Sequence, residues 1–188
     1  MPYRYLSECQ GKHTACSTRL PDGPAFYQSC LAFHLSDPAL TPEGVHALGL
    51  VEVERIAALM SKVAADAGFE STAAFSASLN ADAGNHFATA EELLEEYRRL
   101  CINVVQPQLP RLFKDCLPRT PLEIKPTPAA QADRAPAAYY YAGTADGSRP
   151  GIFYVNTSNL AARGKHEMET LALHEAIPGH HLQLSVAQ

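Results

Sequence analysis

A chain of 188 residues, 46% of them hydrophobic, is long enough to bury one core, so one globular unit or part of one is expected. The formal net charge of −5 leaves no basic footprint, which argues against nucleic acid and anionic membrane surfaces as partners. Five cysteines, an odd number with no C-x-x-C pair, argue against a disulfide framework or a thiolate zinc site and fit free thiols in a reducing compartment.

Leu20 to Pro24 has the composition of a turn, and Ala25 to Leu35 fits a short helix. Thr41, Pro42 and Glu43 then supply an N-cap hydroxyl, a proline at the first helical position and an acid at the positive helix end. Apolar residues recur at three and four from Val45 through Leu48, Ile56, Leu59 and Val63, which predicts a long amphipathic helix to about Ala67. Gly68 suits a left-handed cap. A smaller helix is predicted from Thr72 to Leu79. Thr89 and Glu92 form a capping-box pair that opens a helix to about Val105, and Leu109 to Phe113 adds another turn. The pairs Glu91–Glu92 and Glu95–Glu96 read as a solvated helix face.

The texture changes after about residue 117. Leu122 to Lys125 reads as an extended segment between proline-rich loops. Tyr139 to Tyr141 and Gly151 to Asn156 are aromatic and β-branched runs around a polar turn region, which predicts two strands joined as a hairpin. A last helix should begin between Ala161 and Glu167 and run through Met168, Leu171 and His174. The fold class is therefore mainly α with a small β element. The expected organisation is a single incomplete domain, helical over about 1–117, with the β element and the histidine helix in about 118–188.

Chemistry concentrates in that last helix. The common zinc-hydrolase pattern H-E-x-x-H places two imidazoles four residues apart, with a glutamate beside the first to take a proton from the attacking water. Here His174 and Glu175 begin such a pattern, but the fourth residue on is Pro178, which cannot ligate. On an ideal helix His180 would sit about 120° around the axis from His174, and His181 about 10 Å farther along it. Pro178 breaks the turn and Gly179 tolerates the repair, so a local bulge can swing His180 back towards His174. His180 is favoured as the second ligand, with His181 as the alternative, and Glu175 is the general-base candidate. Glu167 and Glu169 lie too far back along the helix to join. The remaining histidines (His13, His34, His46, His86 and His166) are scattered and read as ordinary surface or capping residues.

The string LHEAIPGHHLQ from Leu173 to Gln183 resembles the signature of the bacterial domain of unknown function 885 family, which is related by motif to gluzincin-type zinc metallopeptidases. The stretches Leu20 to Gly23 with Phe26 and Tyr27, Thr41 to Glu43, Val45 to Leu50 with Glu52 to Ile56, and Asp146 to Gly151 with Phe153 to Asn156 agree. The resemblance implies part of a gluzincin-like helical metallopeptidase fold, a Zn2+ cofactor and a peptide or peptide-like substrate. It further implies a glutamate ligand in a downstream Glu-Gly-Trp-like segment, which this tryptophan-free chain lacks. It also suggests that the strand Ile152 to Asn156 is an edge to which peptide adds, with Arg149, Tyr154 and Asn156 as substrate contacts and Tyr139 to Tyr141 nearby.

The chain therefore reads as an internal fragment of a zinc-dependent hydrolase that binds zinc weakly and is inactive alone, and that self-associates through faces exposed by truncation. The rival reading is a non-catalytic remnant or a helical interaction module without a functional metal site. No apolar run approaches the roughly 18 residues of a membrane span, and the first residues lack a signal peptide. As it stands the chain reads as cytoplasmic; a missing upstream signal would make it secreted or a lipoprotein.

Overall fold

The computed structural model describes residues 21–114 and 116–187; Cys9, His13, Cys16 and Leu20 lie outside them. The fold is mainly helical with one three-stranded sheet. The chain forms two compact units, residues 1–72 and 73–188, and the change of texture near residue 117 falls inside the second. No described helix is long and apolar enough to cross a membrane.

In the first unit, helix α1 (Gly23–Leu35) starts two residues before the expected position and packs on α2 (Pro42–Asp66). The start of α2 follows from its cap. Thr41 accepts a hydrogen bond from the Gly44 N–H at 3.1 Å, and Pro42 occupies a first-turn position whose N–H would have no helical partner. Gly68, at φ 83°, takes the left-handed conformation after the helix and donates to the Ala65 carbonyl. Much of the apolar stripe of α2, including Leu48, Ile56, Leu59 and Val63, is exposed.

The second unit builds its core between helix and sheet. After α3 (Thr72–Ala81), helix α4 (Ala90–Arg98) opens with a complete capping box. Thr89 accepts from Glu92 N–H, and the Glu92 carboxylate accepts from Thr89 N–H at 3.1 Å. Leu93, Leu94, Tyr97, Leu100 and Cys101 then form one buried stripe at helical spacing. The stripe runs from α4 into a π-helical turn, Arg99–Val105, and the chain ends this region in the short α5 (Leu109–Leu112).

The sheet has the order β1 (Leu122–Pro126), β3 (Gly151–Val155), β2 (Ala138–Tyr141). β2 and β3 pair antiparallel across the polar loop, as the hairpin pattern predicts, and β1 pairs parallel on the other side of β3. The buried face carries Ile124, Ala138, Phe153 and Val155, and the Phe153 ring meets Tyr97 edge to face at 5.2 Å. This topology corrects one expectation. The strand from Ile152 is central and paired on both sides, so its backbone has no free edge for a peptide.

After β1 the chain forms α6 (Ala129–Ala132) before β2. Past β3 it makes two 3-10 turns, Leu160–Ala162 and Lys165–Glu167, before α7 (Met168–Leu171). α7 does not continue as an α-helix through His174. It widens into a π turn, Ala172–Ala176, whose Ala172 and Ala176 are fully buried in the core with Met168 and Ile177. Helix α8 (Gly179–Ala187) follows.

Burial pushes the Cys101 thiol up to about 12, so it stays protonated and shielded. Alkylation at pH 8 followed by peptide mapping should modify the exposed Cys116 in the native protein and reach Cys101 only on unfolding. Equal rates at the two sites would contradict this packing.

Candidate metal centre

The geometry of the site begins with a break in the helix. A residue before proline is pushed to extended backbone, and Ile177 has φ −131° and ψ 130°. Its N–H still closes the π turn on the Ala172 carbonyl at 3.1 Å. The Ile177–Pro178 peptide is cis, and the Leu182 N–H donates to Pro178 as α8 begins. Gly179 passes directly over the backbone of the turn it has left. A β-carbon there would overlap the His174 carbonyl oxygen, 2.6 Å from its carbon and 2.7 Å from the Leu173 oxygen. The close approach, not a left-handed φ, is what requires glycine at 179.

This break brings His174 and His180 together. Their ring centroids lie 5.1 Å apart at 82°, and His180 Nε2 is 3.9 Å from Glu175 Oε2. One ligand atom from each of His174, Glu175 and His180 lies within 4.8 Å of the other two. Ligands around a tetrahedral zinc with bonds of about 2.1 Å are separated by about 3.4 Å, which falls inside the 4.8 Å limit of this group. Two imidazoles suit zinc as ligands, and the carboxylate beside them is placed to accept a proton from a bound water. His174 is exposed and lines an open cleft of about 510 Å³ with Ala137, His166, Glu167, Thr170 and Leu171.

His181 takes another position. It is 2% exposed, and its Nδ1 is hydrogen-bonded to the Tyr140 hydroxyl at 2.8 Å. Burial lowers its pKa, with the Thr120 backbone acting in the opposite direction, and burial raises that of Tyr140. The pair sits over Gly151, where a β-carbon would overlap the Tyr140 hydroxyl and lie 2.7 Å from His181 Nδ1. His181 thus ties α8 to β2 and the sheet, outside the His174–Glu175–His180 group.

The residues read as substrate contacts fall elsewhere. Strand alternation puts Tyr139, Tyr141, Ile152 and Tyr154 on the sheet face opposite Phe153, and Tyr139 stacks on Tyr154 at 5.0 Å. Arg149 and Tyr154 line a separate cleft of about 300 Å³ on that face with Tyr139 and Tyr141. Asn156 is 2% exposed. Its amide donates to the Ala132 and Ala135 carbonyls, and its oxygen accepts from the Ser158 N–H and hydroxyl, so it fastens the α6 loop to the end of β3. Two features escaped sequence reasoning. His166 and Glu167 share the His174 cleft, and Gln183 meets His180. The i,i+3 spacing of His180 and Gln183 was the available signal for the second.

The family model for bacterial proteins of unknown function (DUF885) matches residues 3–188. The chain belongs to this family. Its fold is similar to the crystal structure of the "putative lipoprotein from Colwellia psychrerythraea", with a TM-score of 0.82 and 28% identity. That match covers 97% of this chain and 32% of the Colwellia chain, so the DUF885 segment described here spans about a third of that relative's length. No curated protein matches it.

Two substitutions probe how this DUF885 site is held. Gly179→Ala should cost about 1–3 kcal/mol by forcing the His174 backbone away, read by denaturant unfolding. Tyr140→Phe leaves buried His181 Nδ1 without its hydroxyl partner and should cost about 1–3 kcal/mol by the same measurement. Unchanged midpoints would contradict the two contacts.

Proposed function

We propose that this chain supplies two ligands and the proton acceptor of a zinc site in a peptidase-like hydrolase of gluzincin type. The observation that carries the reading is the convergence of His174, Glu175 and His180 within 4.8 Å across the Pro178–Gly179 break. When bound, zinc supplies a Lewis acid that polarises a carbonyl and makes water acidic. His174 and His180 would hold the ion through one ring nitrogen each. Glu175, beside the first ligand, would accept the proton of the attacking water and pass it to the leaving group. A catalytic zinc site takes three protein ligands, and we assign the third to the length that a full-size relative has outside the matched region.

Peptide-like substrates fit this reading. With β3 central, substrate backbone can add only at β1 or β2, and β2 packs beside the π turn that carries His174. The edge of β2 (Ala138–Tyr141) is therefore the proposed track. The open cleft beside His174, with Thr170 and Leu171 in its wall, would receive a neighbouring side chain.

The test uses the full-length protein, its metal content and its hydrolysis of a peptide library. Wild type should carry zinc. Glu175→Gln should keep that zinc and lose about 10²–10⁴-fold in kcat. A metal-free wild type, or a Glu175→Gln variant with unchanged turnover, would refute the assignment.

A further inference from the structure

His180 can serve the cluster only through Nε2, because its other ring nitrogen is engaged. Nδ1 lies 2.8 Å from the side-chain oxygen of Gln183, one turn farther along α8, while Nε2 faces Glu175 at 3.9 Å. An amide oxygen cannot donate, so the proton of a neutral imidazole bonded to it must reside on Nδ1. That leaves the lone pair on Nε2. We infer that Gln183 is a positioning residue: its side-chain oxygen fixes His180 as the Nδ1–H tautomer and presents unprotonated Nε2 to the His174–Glu175 group.

The inference rests on the metal-site reading for its purpose but not for its geometry. A metal-ligating histidine commonly donates its second N–H to an oxygen, which sets the ring orientation and raises the basicity of the ligating nitrogen. Three features suit Gln183 to that part. It is neutral, so it adds no charge beside Glu175. It lies at i,i+3 on the same helix, so helix geometry holds its distance to His180. It is also exposed, and its side chain is no part of the buried core, so replacing it tests the hydrogen bond rather than the fold. His180 and His181 then divide cleanly. Each has Nδ1 in a 2.8 Å hydrogen bond, His180 with the Gln183 side-chain oxygen and His181 with the Tyr140 hydroxyl.

The experiment compares wild type, Gln183→Leu and Gln183→Glu in the full-length protein. In the first arm, selectively 15N-histidine-labelled, metal-free protein is examined by long-range proton–nitrogen NMR at a pH where His180 is neutral. Wild type and Gln183→Glu should show His180 protonated on Nδ1, and Gln183→Leu should move the proton to Nε2. In the second arm, zinc affinity is measured against a chromophoric chelator. Gln183→Leu should weaken it about 10- to 100-fold, and Gln183→Glu should restore it, with the metal-free unfolding midpoint unchanged in both variants. A wild-type proton on Nε2, or a tautomer that ignores the Gln183→Leu change, overturns the inference. If wild type binds no zinc, the hydrolase reading fails, and the NMR arm still decides the role of Gln183. Zinc binding that Gln183→Leu leaves untouched, with Glu175→Gln still inactive, keeps the hydrolase reading and removes this one.

Discussion

The contact on which the rest of the site depends is between two pieces of backbone. Gly179 lies against the carbonyl of His174, so closely that no side chain fits between them. Proline at 178 ends the preceding turn, and the extended Ile177 separates it from the start of α8. Together these turn a six-residue separation, which on a straight helix would point the two histidines about 120° apart, into a pair of rings 5.1 Å apart. The π turn contributes as well. Its wider closure from Ile177 to Ala172 keeps Ala172 and Ala176 in the core while His174 faces solvent.

The adjacent histidines of α8 show how one helix meets two demands. Successive helical residues point about 100° apart, so His180 reaches the open cluster while His181 turns inward to the sheet. Burial lowers the His181 pKa, and the Tyr140 hydroxyl gives its Nδ1 a partner in a setting where an unmatched polar atom would be costly. That bond anchors α8 to β2, and Gly151 leaves the room it needs. The first turn of α8 is thereby fixed from the core side, which holds His180 steady on the other.

The sheet separates two surfaces. The histidine segment packs on the face bearing Phe153, whereas Arg149 and the tyrosines gather on the opposite face around stacked Tyr139 and Tyr154. The histidine segment thus lies on one side of the sheet and the tyrosine cleft on the other.

Several features were legible in the sequence because short-range physics sets them. The caps at Thr41 and Thr89, the hairpin pattern and the Pro178–Gly179 break each follow from residues within a few positions of one another. The break made the return of His180 to His174 possible, while the choice between His180 and His181 stayed open until packing placed His181 against Tyr140. What the sequence could not give are contacts between distant positions. Nothing local to Gly151–Val155 says that β1 will pair on its second side and make it central, and nothing local to His181 says that Tyr140, 41 residues away, will claim it. The local pattern determined which side chains are available for a metal centre. Only packing of helix on sheet decided which of them face it, because burial and hydrogen-bond partners are properties of the assembled core.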